Sequence, residues 1–311
     1  MRNEIAVVGS LNMDLVVHVG RRPKRGETVL GSDFFMSPGG KGANQAYAAR
    51  RLGAAVGLIG KVGSDMFGDT LRSALRSGGV DVAHVEAVEG QPTGIAQISV
   101  DDEGDNSIIV APGANLHCRP EDIRKSEEAI KGAKLLMVQL EIPLDAVLEA
   151  TMIAKRYGVP VLLDPAPARP LPDELYRVTD YIVPNASEMA ELTGIEITDK
   201  RSAIEASSVL RSKGVRYVFA KLGDRGVVVS DASRTIAVGA YRVAPVDTTA
   251  AGDAFAGALG AAIVAGMPLP AAAQFANAVG ALTVTKPGAQ TAMPSEPEVK
   301  TFMERAKPID L

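Results

Sequence analysis

Short apolar runs alternate with segments of helical period along most of the 311-residue chain. Ile5–Val8, Val56–Ile59, Leu135–Val138, Val161–Leu163, Tyr181–Val183 and Tyr217–Ala220 are apolar or nearly so throughout. A strand of that kind has no polar face to turn to water, so it belongs inside a parallel sheet covered on both sides. Between these runs, Ala43–Leu52, Leu144–Tyr157 and Ala203–Lys213 read as helices. The alternation predicts an α/β fold, a doubly wound and mostly parallel sheet flanked by helices.

Two regions break the rhythm. Leu15–Val19 and Thr28–Met36 flank a basic turn from Gly20 to Gly26, and Thr93–Val100 and Ser107–Val110 flank a polar turn from Asp101 to Asn106. Neither pair has room for a helix between its strands, so both read as hairpins. The expectation is one domain over residues 1–311, with hairpins inserted at about 11–37 and 92–111 as a small antiparallel sheet. Such an appendage is either surface decoration or a lid over a substrate.

Composition narrows the function. Lys plus Arg number 33 against 37 Asp plus Glu, a net charge of −4, which gives no footprint for nucleic acid. With 4% aromatics and no Trp, base-stacking platforms are not expected either. The single cysteine, Cys118, excludes an intramolecular disulfide, and His18, His84 and His117 form no zinc pattern. Gly9, Ser10, Asn12 and Asp14 interrupt the first apolar run too early for a secretory signal. No stretch reaches the roughly 20 apolar residues of a membrane span. A cytoplasmic protein without membrane or nucleic-acid partners is expected.

The P-loop signature is absent, and Gly40-Lys41-Gly42-Ala43-Asn44-Gln45 lacks the third glycine of a dinucleotide fingerprint. Three segments carry candidate chemistry. Asp247-Thr-Thr-Ala-Ala-Gly252-Asp253-Ala-Phe255 opens a helix whose small first residues would let a ligand reach free backbone N–H groups. Those groups and the helix dipole suit phosphoryl oxygens, and Asp253 there is either dipole compensation or a base for an attacking hydroxyl. Ser37-Pro-Gly-Gly40-Lys41-Gly42-Ala43-Asn44 leads a glycine cluster into a helix, either for close ligand approach or as a common turn. Asn12-Met13-Asp14 follows the first strand, where an open α/β sheet places its ligand; a simple turn is the alternative.

Taken in order, Gly9-to-Asp14, Gly39-to-Asn44, Gln139-Leu-Glu141, Pro184-Asn185-Ala-Ser-Glu188, Lys221-to-Gly226 and Asp247-to-Asp253 resemble the ribokinase family of carbohydrate kinases, nearly end to end. The resemblance implies ATP-dependent phosphorylation of a sugar, D-ribose at its 5-hydroxyl, with Mg²⁺ and a monovalent cation such as K⁺. It implies Asp253 as general base, with the N–H groups of Ala250, Ala251 and Gly252 as an anion hole. Asn12, Met13, Asp14, Gly40, Lys41, Gly42, Ala43, Asn44 and Glu141 match the sugar positions. Asn185 and Glu188 match a motif that orients Mg²⁺ and phosphate. Lys221, Leu222, Gly223, Asp224, Arg225, Gly226 and Asn277 match the ATP positions. Asp247, Thr249, Thr283, Lys286, Gly288 and Ala292 match the monovalent-cation site, although a serine is common where Ala292 stands. The hairpins match a lid that usually also clasps a homodimer.

Other readings compete. A family kinase for 2-deoxyribose, a hexose or a nucleoside is one, although the low aromatic count disfavours a nucleoside. A non-catalytic sugar or nucleotide sensor is another, and the intact Asp253 and Asn185/Glu188 argue against it. An NAD-dependent oxidoreductase fails on the missing fingerprint.

Overall fold

The computed structural model describes residues 3–101, 103 and 106–309. Among these, the strands are β1 (Ile5–Val8), β2 (Asn12–Val19), β3 (Gly31–Gly39), β4 (Val56–Gly63), β5 (Asp81–Val88), β6 (Gly94–Val100), β7 (Asn106–Ala111), β8 (Leu135–Val138), β9 (Val161–Leu163), β10 (Tyr181–Ile182), β11 (Tyr217–Lys221), β12 (Val227–Ser230) and β13 (Thr235–Val238). Nine of them form one sheet in the order β13-β12-β11-β10-β9-β8-β1-β4-β5, and four form a second sheet, β3-β2-β6-β7. From β11 to β5 the pairings are parallel; β12 and β13 add an antiparallel edge.

The apolar strands are where a two-sided core needs them. Ile5 and Val7 belong to one buried cluster, Ala6 and Val8 to the other, as side chains alternate across a sheet. The first face is covered by the helices Ala251–Val264 and Leu269–Thr283, through residues such as Phe255, Leu259 and Val279. The second is covered by Leu144–Arg156 and Lys200–Ser212, through Val147, Ile153 and Leu210. No helix among the described residues is long and apolar enough to cross a membrane.

Strand order reverses at β1. The sheet grows through β4 and β5 on one side and through β8 to β11 on the other. A reversal of this kind opens a crevice outside the carboxyl ends of the strands, here around β1 and β8.

The two hairpins are present, and they join into one sheet above that crevice. Each hairpin is antiparallel, but β2 and β6 meet in parallel, from Asn12 opposite Gly94 to His18 opposite Val100. Both strands leave the carboxyl ends of parallel strands of the main sheet, so they must run the same way. Strand β2 begins at Asn12 and β3 covers Gly31–Gly39, not Thr28–Met36. Asn12 pairs with Gly39 and Asp14 with Ser37, so the Asn-Met-Asp and Pro-Gly-Gly segments are facing rungs of one ladder rather than separate turns. Tertiary pairing overrides the poor strand propensity of Pro and Gly here. Residues 102, 104 and 105 of the polar turn lie outside the described residues.

Candidate active site

Each strand around the crevice ends on a polar residue. Ser10 follows β1, Gln139 and Glu141 follow β8, Asp164 follows β9, Asn185 follows β10, and Lys221 ends β11. Ser10, Gln139 and Asp164 are buried. Buried polar groups need partners: Ser10 bonds to Glu141, Gln139 Nε2 to Gln45, and Asp164 to Gln45 and Lys221, while Gln139 Oε1 is left without one among the described residues.

The helix Ala251–Val264 starts from Ala250, whose φ of 57° is left-handed, and no side chain caps it. That conformation costs an alanine about 1–2 kcal/mol. It opens the helix, whose first-turn N–H groups have no intrahelical partners. Of the expected anion-hole donors, Ala251 N–H already donates to the Thr248 carbonyl, at a long 3.3 Å. Gly252 is open: a Cβ placed there would meet only the Lys221 Nζ, at 3.5 Å.

Asp253 sits in this first turn, 6% exposed. Asn44 Nδ2 donates to its Oδ2 at 3.0 Å, and Gln45 Nε2 to its Oδ1 at 3.3 Å. Gln45 Nε2 also donates to Asp164 Oδ2 at 2.8 Å, while Gln139 Nε2 donates to Gln45 Oε1 at 2.7 Å. Gln290 Nε2 completes the set by donating to Asn44 Oδ1 at 3.2 Å. Burial pushes the Asp253 carboxyl above its ordinary range; the Lys41 ammonium and the Asn44 amide pull it down, and Asp164 and Glu141 push it up. A carboxylate so placed is a stronger proton acceptor than one in water.

On the lid side, Asp14 is buried, and its carboxyl is pushed up to about 7 by burial, Glu141 and Asp253 against the pull of Lys41. Glu141 Oε2 accepts from Ser10 Oγ at 2.5 Å and from the Lys41 N–H at 3.2 Å. The Lys41 ammonium is held protonated by Asp253 first, then by Asp164, Glu141 and Glu188, against its burial. Gly40 has a φ of 89°, and a Cβ there would meet Asn12 N at 2.6 Å, so glycine is required by the neighbouring backbone. Met13 and Ala43, expected at the sugar, have their side chains in the core, and Gly42 packs on Gly9. Asn12 Oδ1 accepts from Asn115 Nδ2 at 2.8 Å.

On the other side of the helix start lies a cavity of about 520 Å³, lined among others by Lys221, Gly223, Asp224, Gly252 and Asn277. Its lining is largely apolar, with Tyr241, Val243 and Val284 in the walls. Of the other expected nucleotide positions, Gly226 also lines this cavity, and the side chains of Leu222 and Arg225 are engaged elsewhere. Leu222 is in the core. Arg225 Nη1 turns away to the Thr198 carbonyl at 2.7 Å. Gly226 has a φ of 107°, and a Cβ there would clash with the Val238 carbonyl at the end of β13 and stand 2.9 Å from Ala240 N. Asn277 Nδ2 donates to the Gly239 carbonyl at 3.0 Å, which fixes one wall.

Asn185 caps the helix Ala186–Thr193: its Oδ1 accepts from Glu188 N–H at 2.8 Å, and Glu188 accepts in return from Asn185 N and Nδ2, both at 2.7 Å. The Glu188 carboxyl is pushed up by burial and drawn down by Lys221. No cluster of three acidic, His or Cys side chains among the described residues could cage a metal. The pair fits a hydrated Mg²⁺ that keeps most of its waters.

Of the residues expected at the monovalent cation, Asp247, Thr249 and Gly288 are joined by hydrogen bonds, and the Asp247 N–H reaches the Val284 carbonyl next to Thr283. Asp247 Oδ1 accepts from Thr249 N–H at 2.9 Å and its Oδ2 from Gly288 N–H at 2.8 Å, stapling the two segments. Thr283 Oγ1 donates to the Val279 carbonyl at 2.8 Å and keeps its lone pairs, whereas Lys286, paired with Glu298, has only its backbone oxygen to offer a cation. Ala292 is buried in the short turn Gln290–Ala292.

Sequence reasoning missed Asp164, Gln45, Gln290 and Asn115. Asp164 had a signal, as the residue directly after an apolar strand. The three amides had none, because their partners lie more than ninety residues away in the chain.

The profile of the "pfkB family carbohydrate kinase" matches residues 2–296. A ribokinase of Haemophilus influenzae is 42% identical over 306 residues, covering 98% of this chain and all of the relative. A deoxyribokinase of Salmonella typhi is 36% identical over 96% of this chain and 98% of its own. The structure of Arabidopsis thaliana ribokinase complexed with ribose and ATP superposes with a TM-score of 0.89 at 33% identity, covering 97% of this chain and 98% of that one. This chain therefore belongs to the pfkB, or ribokinase, family of carbohydrate kinases, transferases that act on a sugar hydroxyl.

Proposed function

We propose that this kinase transfers the γ-phosphoryl group of ATP to the 5-hydroxyl of D-ribose, giving D-ribose 5-phosphate and ADP. The observation that carries the reading is the position of Asp253, buried in the first turn of a helix between a polar crevice and the 520 Å³ cavity. The similarity to a ribokinase complexed with ribose and ATP supplies the two ligands.

Ribose occupies the crevice under the lid, with its hydroxyls on Asn12, Asp14, Asn44 and Glu141. ATP fills the cavity, its base against the apolar walls and its phosphates toward Gly252. Asp253 accepts the proton of the 5-hydroxyl as that oxygen bonds to the γ-phosphorus and the bond to the β-phosphate oxygen breaks. The N–H groups of Ala250, Ala251 and Gly252 and the helix dipole offset the charge gathering on the phosphoryl oxygens. Asn185 and Glu188 orient Mg²⁺, which when bound neutralises part of the triphosphate charge. Asp247, the carbonyls of Thr249, Thr283, Lys286 and Gly288, and the backbone at Ala292 would hold K⁺, whose charge would add positive potential near the loop that opens the helix.

The lid carries exposed apolar side chains, Phe34 and Met36 on β3 and Ile109 on β7, which fits a homodimer joined through it. A single buried thiol, Cys118, fits a cytoplasmic enzyme. A second reading, 2-deoxyribose as the sugar, is favoured by the likeness to a deoxyribokinase.

A panel of sugars with ATP and Mg²⁺, following ADP release, decides between them. A missing 2-hydroxyl leaves a polar group unpaired, at about 1–3 kcal/mol. Ribose should therefore exceed 2-deoxyribose in kcat/KM by roughly 5- to 150-fold. A preference for deoxyribose, a hexose or a nucleoside would overturn ribose and leave the family kinase.

A further inference from the structure

We propose that Lys221 is a catalytic residue of the transfer, its ammonium held at the mouth of the anion hole by Asp164 and shared with the phosphoryl oxygens. The proposal rests on the reading of residues 250–253 as the phosphoryl site and adds a cation to it.

Three observations converge. Lys221 ends β11, and its Nζ lies 3.2 Å from Asp164 Oδ1, with side chains 13% and 2% exposed. The same Nζ is the one atom that a Cβ on Gly252 would meet, at 3.5 Å. Lys221 also lines the 520 Å³ cavity beside Gly252. An ammonium has three donors, and Asp164 takes one. The others are free to reach oxygens arriving over the open Gly252.

Asp164 is the positioning residue. Its second oxygen accepts from Gln45 Nε2, whose amide also reaches Asp253. One chain of contacts therefore runs from the nucleotide side, through Lys221, Asp164 and Gln45, to the base. Lys41 serves the sugar side, where Asp253 is its strongest charge partner. Lys221 serves the nucleotide side. It transfers no proton: the hydroxyl proton goes to Asp253, and the ammonium offers hydrogen bonds and charge to oxygens that gain negative charge as the bridging bond breaks.

The plain alternative is that Lys221 only neutralises a buried carboxylate. A single substitution cannot separate the two, because it strands Asp164 and destabilises the fold. The test is Lys221→Gln alone, Lys221→Gln with Asp164→Asn, and Asp253→Asn, measured for Tm, kcat and both KM values. The single Lys221 variant should lose both Tm and kcat. The double variant, with no stranded charge, should recover most of the Tm yet stay about 10²-fold or more down in kcat, as for a lost oxyanion donor. Its sugar KM should stay close to that of the unaltered enzyme. A double variant with restored Tm and a kcat within about threefold of the unaltered enzyme, against the same constant, would make Lys221 a counter-ion and nothing more. Should Asp253→Asn keep its turnover while the double variant loses it, the base assignment fails and the role of Lys221 stands.

Discussion

Asn44 donates its side-chain amide to the carboxylate of Asp253 at 3.0 Å, across 209 residues of chain. The bond ties the glycine-rich segment to the helix start, the two most specific motifs of the sequence. It also does chemical work. An amide donor favours the ionised carboxylate in a site where burial disfavours it, so it keeps the base ready while leaving its proton affinity high.

The open backbone at Gly252 separates folding from function. A methyl there makes only an ordinary contact with Lys221 Nζ, at 3.5 Å, so Gly252→Ala should fold normally. Less backbone freedom in the unfolded chain should even add about 0.4–1 kcal/mol. The same methyl intrudes where the phosphoryl oxygens approach, so kcat should fall about tenfold or more, on the scale of one lost oxyanion contact. Thermal melting and steady-state kinetics on one preparation check both halves; a stable, fully active variant would place the phosphoryl group elsewhere.

Asp14 should be a stability cost retained for binding. Its carboxyl moves from 3.8 in the unfolded chain to about 7 in the fold, so the fold binds that proton more tightly. Stability must then fall as pH rises from near 4 through 7, and the whole penalty is present above that. Asp14→Asn should raise the unfolding free energy at pH 8, by on the order of 4 kcal/mol at most, and change little at pH 4. It should also lose most activity on ribose. Calorimetry at the two pH values decides; an equal shift at both would remove the ionisation argument.

Asp247 staples the loop before the helix to Gly288, and the carbonyls there suit a weakly hydrated cation. K⁺ should activate over tetramethylammonium at equal ionic strength, mainly through kcat. Equal rates in the two salts would eliminate the site.

The Asn185–Glu188 pair caps its helix and is proposed to face hydrated Mg²⁺. Glu188→Gln keeps an acceptor for the cap, so Tm should move little. The Mg²⁺ concentration for half-maximal rate should rise about 10-fold or more, as for loss of a group supporting a metal. A Mg²⁺ titration showing no change would confine the pair to capping.

Much of the architecture was legible in the pattern of side chains. Ile5–Val8, Leu135–Val138 and Val161–Leu163 form the strands that their apolar runs require, because burial on both faces leaves its mark on every residue. The rungs formed by Asn12-Met13-Asp14 and Ser37-Pro38-Gly39 were not legible, since their strand conformation comes from facing each other. The site divides in the same way. Asp253, Asn44 and Asn185 announce themselves in motifs. Gln45, Gln290 and Asp164 matter through partners that only the fold brings within reach.

The central claim is that Asp253 takes the proton of the sugar hydroxyl. Asp253→Asn preserves the shape of the side chain and keeps one oxygen, which can accept from Asn44, while Gln45 retains its bond to Asp164. It should melt near the unaltered temperature and bind sugar and ATP with similar KM values. A general base contributes about 10²–10⁴-fold, so turnover, followed as ADP released per enzyme with saturating ribose, ATP and Mg²⁺, should drop at least a hundredfold. A folded Asp253→Asn enzyme that kept more than about a tenth of the turnover, a loss too small for a missing base, would contradict the account.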